Sequence, residues 1–533
     1  MPKELLLDGY IRDDLCVDLF AKIEREVDVA SIRHAGTRIW PLIKLSVYQQ
    51  AFNPDKPFLV FRRERVQRVR IARDAAAYEA MRNGAGRTDA LFFCLLHEYS
   101  PTPGGLHENR YVDPLIDAFA GERSFLKFEF EEAGTPGSFP RKTPSVFWQH
   151  LESREDIPSA RLEPIENFGP VREAVREAFG MDLDERLFQQ QMEIVNAYAD
   201  EFANMLDILQ PGAAFLVSYY HMIGMSLIKA CRRLGIPSVD IQHGAQSMHP
   251  FYSPLGLVPE GGWDFYPDFF WVWGENEAEN IAGGVLPQGR SAHRPVVGGN
   301  LWFDGFDKED GFEASEEMRA LDRAVAGRER VILTALPRVA NGVPEYLLEA
   351  LAASPEGWLW LFRQHPYHKD REGDVRLMLP PELAEKVESR AANSLPLPAL
   401  LKRSTNFVTG CSSSLYEALC LGTHSVLTHL RGAFYFKEFL ASGMVDIART
   451  APELIQALDG SPDRGATLAS FRPYLNNRGR AKAALDRILL PRAAGPAGEL
   501  PAPSIRDAAF SAPAMNARPW GGPACVSEAK RNS

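Results

Sequence analysis

Residues 213–244, AAFLVSYYHMIGMSLIKACRRLGIPSVDIQHG, decide the fold class of this chain. Two apolar runs within them, Ala213–Tyr220 and Pro237–Gln242, have the composition and length of buried strands, and a helical segment separates them. A strand, a helix and a second strand in about 30 residues make up the unit from which parallel sheets are built. This stretch therefore predicts an α/β fold with parallel strands.

The alternation of strands and helices continues on both sides of this unit. An amphipathic helix is predicted between Phe188 and Leu209, where apolar residues recur at spacings of three and four. Two successive series of strands with intervening helices predict two Rossmann-like domains that face a cleft. The other strand candidates are Ala90–Leu96, Phe125–Phe130, Phe269–Gly274, Pro295–Gly299, Arg330–Pro337, Trp358–Pro366, Asn406–Gly410 and His424–Leu430.

Shifts in composition indicate the domain boundaries. The acidic stretch DGFDKEDGFEASEE, residues 304–317, has the character of a linker, and the chain after Pro491 is rich in Ala, Pro and Gly. We predict an N-terminal extension at 1–84, a first Rossmann-like domain at 85–305, a linker at 306–327, a second Rossmann-like domain at 328–490 and a disordered tail at 491–533.

The bulk composition excludes several classes of protein. A net charge of −11 over 533 residues is unlike that of nucleic-acid-binding proteins, which usually carry a basic excess. Six dispersed cysteines without a C-x-x-C pair, no secretory leader and no apolar run of about 18 residues favour a cytoplasmic protein. The P-loop, dinucleotide, zinc-protease and α/β-hydrolase motifs are missing, so these standard classes are not expected.

The first candidate site follows the strand Pro237–Gln242. Gln242, His243 and Gly244 lie at its carboxyl end, where ligands bind in open parallel sheets. An imidazole at this edge could take a proton from an incoming hydroxyl near neutral pH, and a glycine lets a ligand approach the backbone. His249 is a second candidate for this role. The alternative is a strand-end histidine that only bonds a loop carbonyl.

The second candidate site follows the predicted strand Trp358–Pro366. Arg363 and His365 are suited to binding a phosphate, and Pro366 ends the strand and fixes the direction of the chain. A turn that is basic by chance is the alternative interpretation.

The third candidate site combines three hydroxyl side chains with a helix start. Ser412, Ser413 and Ser414 follow a strand and precede the helical stretch LYEALCLG, so backbone N–H groups, hydroxyls and the helix dipole could bind an anion there. Glu417, about one turn into the helix, could accept hydrogen bonds from a ribose or a base. The alternative interpretation is structural. Helix capping would explain one of the serines, and Glu417 would only be a negative charge that stabilises the start of the helix.

The order of these motifs resembles that of the GT-B glycosyltransferases: His-Gly after one strand, His-Pro after another, then Ser-Ser-x-x-x-Glu-Ala. The chain is similar to the bacterial surface-polysaccharide group that includes CDP-glycerol glycerophosphotransferases, bacterial sialyltransferases and capsule Kdo transferases. The successive HG, PD, WG and GN pairs between Gln242 and Asn300 are similar to a series in capsule and lipopolysaccharide enzymes. The resemblance spans about residues 85–490.

The resemblance implies an inverting transfer of a sugar from a CMP- or CDP-linked donor to a hydroxyl of a surface glycan, glycolipid or glycoprotein. It implies no metal and no bound cofactor, with the nucleotide sugar as a substrate. It implies that the first domain binds the acceptor and the second domain the donor nucleotide. The implied catalytic residues are His243, with His249 as the alternate base, and His365. The implied binding residues are Gln242, Gly244 and His249 for the acceptor, and Arg363, Pro366, Ser412, Ser413, Ser414 and Glu417 for the donor.

Two other functions stay open. The first is an enzyme like the UDP-sugar 2-epimerases, which would need several carboxylates in the cleft for proton abstraction. The second is a non-catalytic GT-B scaffold in polysaccharide assembly or export. The arginine-rich strip Arg62–Arg73 is either a solvated strand or a peripheral contact with the anionic inner face of a membrane.

Overall fold

The computed structural model describes the chain in ranges separated by gaps. These ranges are residues 6–7, 10–52, 68–73, 88–95, 99–102, 104–131, 140–153, 162–246, 249–252, 258–285, 292–305, 315–336, 343–365, 375–460, 472 and 474–490. The predicted tail at 491–533 and Pro366 lie outside them.

The strands of the described residues are short and mostly buried. In chain order they are β1 Leu6–Leu7, β2 Tyr10–Ile11, β3 Arg33–His34, β4 Thr37–Arg38, β5 Arg68–Arg73, β6 Ala90–Leu95, β7 Tyr99–Pro101, β8 His107–Asn109, β9 Phe125–Glu131, β10 Val146–Ser153, β11 Ala213–Val217, β12 Ser238–Ile241, β13 Phe269–Val272, β14 Arg294–Val297, β15 Arg330–Ala335, β16 Trp358–Arg363, β17 Val387–Glu388, β18 Asn406–Thr409, β19 His424–Leu427 and β20 Val445–Ile447.

The helices of the same ranges connect these strands and cover the sheets. They are α1 Asp13–Glu26, α2 Trp40–Phe52, α3 Asp113–Phe119, α4 Phe168–Phe179, α5 Glu185–Leu209, α6 Met222–Leu234, α7 Glu275–Val285, α8 Leu301–Gly305, α9 Glu316–Val325, α10 Glu345–Ala353, α11 Pro381–Ala384, α12 Arg390–Ser394, α13 Leu397–Leu401, α14 Ser414–Cys420, α15 Leu430–Tyr435, α16 Lys437–Ala441, α17 Ala451–Asp459 and α18 Ala481–Leu489, with 3-10 turns at Val29–Ser31, Val375–Met378 and Arg478–Arg480.

The first large sheet contains eight of the described strands, in the spatial order β14-β13-β12-β11-β6-β9-β10-β5. Neighbouring strands are parallel except for β5, which pairs antiparallel with β10 at the edge. The chain order runs outward in opposite directions from the adjacent strands β6 and β11. The carboxyl ends of these two strands therefore mark a topological switch point, where ligands bind in sheets of this kind.

The second large sheet contains six of the described strands, in the order β17-β16-β15-β18-β19-β20, and all its pairs are parallel. Its switch point lies between β15 and β18. Two parallel sheets covered by helices are the two Rossmann-like domains of the GT-B architecture, as the strand–helix alternation predicts.

Each sheet has an apolar core on both of its faces. Consecutive residues of a strand lie in different cores: on β6 these are Phe92 and Phe93, and on β16 they are Trp360 and Leu361. Since side chains alternate across a strand, a strand buried on both faces must be apolar throughout, which is why these strands read as continuous apolar runs. Helix α18, near the end of the described chain, packs Leu485 against the first sheet.

The predicted strands are confirmed in position, but several end earlier than predicted. Trp358–Pro366 ends at Arg363, His424–Leu430 at Leu427 and Arg330–Pro337 at Ala335. The predicted strand Ala213–Tyr220 ends at Val217, because Ser218 has a φ of +60° and turns the chain out of the sheet. The helix predicted up to Leu209 is α5. The domain boundaries remain predictions. Helix α9, inside the predicted linker, buries Met318 and Leu321 in a core of the second domain.

The arginine-rich strip lies partly outside the described residues. Its described part is β5, the antiparallel edge strand of the first sheet. In the described parts of the chain we find no helix whose length and apolar content would suit it to span a membrane. Contact of the strip with a membrane remains a prediction.

Candidate active site

His243 lies beside the switch point of the first sheet. It follows β12, and its Nε2 is 2.9 Å from Ser218 Oγ and 3.1 Å from Tyr220 Oη, both of which follow β11. The left-handed turn at Ser218 points these hydroxyls towards the imidazole. Two hydroxyls on one ring nitrogen fix the orientation of the ring, and the role of His243 as a base remains a prediction.

Gln242 holds the turn that carries His243. Its side chain is fully buried, accepts a hydrogen bond from the backbone N–H of Trp273 at 2.7 Å and donates one to the carbonyl of Gly244 at 2.9 Å. The backbone of Gln242 also accepts a bond from Trp273 Nε1 at 3.1 Å. Gln242 was predicted to contact the acceptor, but in the structure its side chain ties the turn to β13.

The turn of His243 meets the second domain at the serine segment. A methyl group at Gly244 would lie 3.3 Å from Ser413 Oγ. Tyr111 Oη donates to the carbonyl of His243 at 3.2 Å. Its ring packs against a core of the first sheet and against the cluster in which Trp273, Trp302 and Phe303 join residues of the second domain. The carboxyl edges of the two sheets thus bring the first and third candidate sites together. We call this region, formed by Arg110, Tyr111, His243, Gly244, Ser413 and Glu417, the interdomain face.

The serine segment is ordered by its own hydrogen bonds. The N–H of Ser412 donates to Thr409 Oγ1 at 3.1 Å, and Ser412 Oγ donates to Ser414 Oγ at 3.0 Å. The N–H of Ser414 in turn donates to Ser412 Oγ at 3.3 Å. These two N–H groups therefore already have acceptors within the chain, contrary to the expectation of unused donors there. The hydroxyls are half-buried.

Glu417 and Arg110 lie on opposite sides of the interdomain face. Burial raises the pKa of Glu417 to about 7, and the positive charges of Arg110 and Arg363 oppose that increase. The guanidinium of Arg110 lies over the rings of Tyr111, at 5.4 Å, and Trp302, at 5.7 Å. Within the described ranges neither Glu417 nor Arg110 has a side-chain hydrogen bond or an ion pair, although both are half-buried.

Arg363 is anchored within its own domain. Its Nη1 donates to the carbonyls of Ala392 and Leu395, at 2.6 and 2.7 Å, so it closes the end of helix α12. Burial, followed by the nearby charge of Arg110, lowers its pKa to about 10. His365 is exposed just after β16. Binding of a donor phosphate by Arg363, His365 and Pro366 remains a prediction.

His249 lies in an aromatic pocket behind the site. Its ring centroid is 5.2 Å from that of Tyr220, 5.4 Å from Phe251 and 5.7 Å from Tyr48. Burial, with smaller effects from Arg431 and Lys44, lowers its pKa to about 3. An imidazole with so low a pKa is a weak base at neutral pH, which argues against His249 as the alternate base.

Asp240 supports the same turn from inside the sheet. Its carboxylate accepts the N–H of Tyr219 at 2.9 Å and the hydroxyl of Tyr252 at 2.8 Å. It is fully buried, and burial raises its pKa to about 7. Within the described part of the chain, no three His, Cys, Asp or Glu side chains are grouped as metal ligands would be.

Three residues of this site were missing from the sequence-based candidates. Ser218 and Tyr220 fell inside a predicted strand, although polar residues after an apolar run could have indicated its end. Arg110 lies in a loop without a recognisable motif, and only the folded chain brings it to the interdomain face.

Comparison of the sequence with protein-family models and with curated proteins gives no match. Solved structures give distant matches. They include the UDP-GlcNAc 2-epimerase of Methanocaldococcus jannaschii, with 14% identity, a TM-score of 0.46 and coverage of 75% of this chain and 99% of that one. The Neisseria meningitidis UDP-GlcNAc 2-epimerase bound to UDP-GlcNAc has 13% identity, a TM-score of 0.44 and coverage of 75% and 99%.

A glycosyltransferase of kitacinnamycin is similar to the same degree, with 15% identity, a TM-score of 0.45 and coverage of 76% of this chain and 100% of that one. Similarity this distant does not define an activity. The function has to be inferred from the site itself.

Proposed function

We propose that this protein is a nucleotide-sugar-dependent enzyme of the GT-B architecture, and that its reaction is glycosyl transfer. The observation that carries the proposal is the meeting of the His243 turn with the serine segment, where a methyl group at Gly244 would lie 3.3 Å from Ser413 Oγ. A substrate held there would have a candidate base on one side and hydroxyl groups and positive charge on the other. This is the arrangement that direct displacement of a nucleotide requires.

In this proposal His243 accepts the proton of the acceptor hydroxyl through Nε2, the atom that Ser218 and Tyr220 already contact. The acceptor oxygen forms a bond to the anomeric carbon as the bond from that carbon to the donor phosphate breaks, with inversion. The departing nucleotide keeps the bonding electrons as a phosphate anion. His365, Arg363 and the hydroxyls of the serine segment stabilise that anion without a metal, and Glu417 bonds the ribose or base.

The finer assignments rest on the resemblance of the sequence. They are a cytidine nucleotide in the donor, a hydroxyl of a surface glycan, glycolipid or glycoprotein as acceptor, and a place in capsule or lipopolysaccharide synthesis at the inner face of the membrane. The exposed His365 and the half-buried serine hydroxyls support only the binding of an anionic donor.

A 2-epimerase reaction on a UDP-sugar is the second candidate, because the structure adds Glu277, which no sequence motif indicated, to the carboxylate of Glu417. Burial raises the pKa of Glu417 to about 7, and Glu417 forms no close ion pair within the described residues. Glu277, almost fully buried on α7, accepts a hydrogen bond from Tyr416 of the second domain. A carboxylate with a pKa near neutrality could remove and return a proton.

Nucleotide binding tests the proposal first. Thermal unfolding of the full chain would be followed with CMP, CDP, UDP and GDP, each well above the expected dissociation constant. Stabilisation by cytidine nucleotides supports the transferase with a cytidine-linked donor, and stabilisation by UDP alone supports a UDP-sugar enzyme. No stabilisation by any of the four contradicts the proposal and favours the non-catalytic scaffold.

Product analysis then separates the two reactions. The epimerase predicts incorporation of deuterium at C2 of a UDP-N-acetylhexosamine in D2O without any acceptor, whereas the transferase predicts release of nucleotide only when an acceptor hydroxyl is present. His243→Ala and His365→Ala should each lower transfer by about 100-fold or more while the fold is kept. Full activity of both variants would show that the site is elsewhere.

A further inference from the structure

We infer that Arg110, a residue of the first domain, binds the phosphate of the donor across the interdomain face and so makes donor binding depend on both domains. The inference rests on the proposed function and adds to it a residue that no sequence motif indicated. It concerns the binding and release of the nucleotide, whereas His243 acts on the acceptor.

The first support is the rigid loop that presents Arg110. The fully buried Asn109 accepts the N–H groups of Tyr111 and Val112 on its side-chain oxygen, at 3.0 and 3.1 Å. The N–H of Asn109 donates to Asp113 at 2.9 Å. Asp113 in turn forms a buried ion pair with Lys127 at 2.8 Å. A loop held this firmly places its next side chain with little entropy left to lose on binding.

The second support is that no residue in the described part of the chain forms a hydrogen bond or a close ion pair with this guanidinium. Arg110 has no ion pair there, and its Nε is buried without a hydrogen bond. The guanidinium lies against Tyr111 and Trp302, whose rings restrict its orientation but cannot neutralise it. Trp302 is itself held by a hydrogen bond from its Nε1 to Glu108 at 2.9 Å. A half-buried, oriented and unpaired guanidinium is suited to a phosphate, which accepts its hydrogen bonds and supplies the missing charge.

The third support is the position of Arg110 relative to the second domain. Its charge opposes the increase in the pKa of Glu417 and contributes to the lower pKa of Arg363, so it lies close to both. Its neighbour Tyr111 contacts the carbonyl of His243. A donor whose ribose is bound at Glu417 would extend its phosphate between Arg110 and the serine segment, next to the proposed base. Arg363 cannot replace it easily, since Nη1 of Arg363 is used by two carbonyls.

Isothermal titration of the full chain tests this inference. The ligands are the nucleoside diphosphate that stabilises the wild type most among CDP, UDP and GDP, and the corresponding nucleoside. We expect Arg110→Gln to lower the affinity for the diphosphate at least tenfold. The affinity for the nucleoside should stay within twofold of the wild-type value, because only the phosphate contacts Arg110. Arg110→Lys keeps the charge but loses the planar guanidinium, which can donate two parallel hydrogen bonds. Its affinity for the diphosphate should lie between those of Arg110→Gln and the wild type.

Two further variants exclude structural explanations. Arg172→Gln removes an exposed arginine that pairs with Asp182, at 2.8 Å, and should change neither affinity. In a protein that already carries Glu417→Gln, the further change Arg110→Gln should still lower the affinity for the diphosphate tenfold. If Glu417→Gln abolishes that difference, Arg110 acts only by neutralising Glu417 and the inference is wrong.

Other outcomes are equally decisive. Unchanged diphosphate affinity in Arg110→Gln, or an equal loss of nucleoside and diphosphate affinity, overturns the role of Arg110 while the proposed function stands. If the wild type binds CMP but none of the diphosphates, CMP and cytidine take the place of the diphosphate and its nucleoside in the comparison. If it binds none of the four nucleotides, the proposed function fails and the inference fails with it. Should Arg110→Gln not fold, the comparison of Arg110→Lys with the wild type decides, and equal affinities for the diphosphate overturn the inference.

Discussion

At the scale of single residues, the backbone conformation of Ser218 determines the geometry around His243. A φ of +60° is rare for a residue other than glycine, because the side chain crowds the backbone. The strained turn places Ser218 Oγ 2.9 Å from His243 Nε2. Strain kept at a residue that contacts the proposed base is consistent with a functional role.

Two substitutions at Ser218 separate strain from hydrogen bonding. Ser218→Ala and Ser218→Gly both remove the bond to His243, so both should lower turnover to a similar extent. Ser218→Gly also relieves the backbone strain. Its free energy of unfolding, measured with urea, should therefore be about 1 kcal/mol higher than that of Ser218→Ala. The control is Gln210→Gly, at a φ of +42° after α5, which should gain stability without loss of turnover. Full turnover in Ser218→Ala would contradict the role of the hydroxyl.

Asp240 predicts a particular dependence of stability on pH. In the folded chain the pKa of Asp240 is about 7, above the ordinary aspartate value. At a pH between the two pKa values, the folded chain therefore keeps a proton on Asp240 that the unfolded chain has released. The stabilising contribution is therefore complete below about pH 4 and is lost as the pH rises towards 7.

Urea unfolding at pH 5 and pH 8 tests this dependence. Relative to Asp240→Asn, whose side chain does not titrate, the wild type should lose roughly 3 kcal/mol between the two pH values. Glu417 titrates in both proteins, so its contribution cancels in the comparison. Parallel pH profiles of the two proteins would show that Asp240 is already ionised at pH 5.

At the scale of elements, the end of the edge strand β14 is packed against its neighbour β13. The N–H of Gly298 donates to the carbonyl of Val272 at 2.9 Å. A Cβ at Gly298 would fall inside the indole of Trp271, which is almost fully buried. The close approach of this loop to the sheet therefore requires glycine.

Gly298→Ala should lower the free energy of unfolding by about 1–3 kcal/mol, because the indole of Trp271 must move within a packed core. The matched control is Gly169→Ala in α4, where a Cβ would meet no atom within 4 Å. That change should be neutral or stabilise by up to about 1 kcal/mol, since alanine favours a helix. Denaturant midpoints measure both. Equal stability of the two variants would contradict the packing seen here.

At the scale of the whole molecule, residues of the predicted N-terminal extension contact the second domain. Arg431 Nε of α15 donates to the fully buried carboxylate of Asp13 on α1 at 2.7 Å, and Tyr48 Oη donates to the same carboxylate at 2.6 Å. The apolar side of α1, with Phe20, lies in the core of the first domain. The ion pair therefore joins the two domains on the side of the aromatic pocket.

Arg431→Met should lower the free energy of unfolding by about 3 kcal/mol, because it leaves the charge of Asp13 buried without its cation. The control is Arg403→Met, which removes a partly exposed pair with Asp322 inside the second domain and should cost about 1 kcal/mol or less. Denaturant unfolding compares the two variants. If Arg431→Met costs no more than Arg403→Met, the two domains do not depend on this pair.

The fold was predictable because its signal is local. Strands buried on both faces must be apolar, and the helices between them must be amphipathic. A strand such as Trp358–Arg363 can therefore be recognised from its own sequence, without knowing which strands lie beside it. The turns that follow strands were predictable as site positions for the same reason, since the carboxyl edge of a parallel sheet is fixed by strand direction. His243 and Ser413 were named as candidates in this way, and the structure brings their two turns together.

What the sequence by itself determined is thus the α/β class, the two parallel sheets and the edges at which chemistry could occur. The tertiary structure alone decided which residues meet at those edges. Arg110 and Glu417 are about 300 residues apart, and no periodic pattern encodes their proximity. It depends on how two separately formed sheets pack, which follows from side-chain shape and from buried pairs such as Asp13 with Arg431. Burial set the low pKa of His249 and the raised pKa of Glu417, and burial is a property of the folded chain.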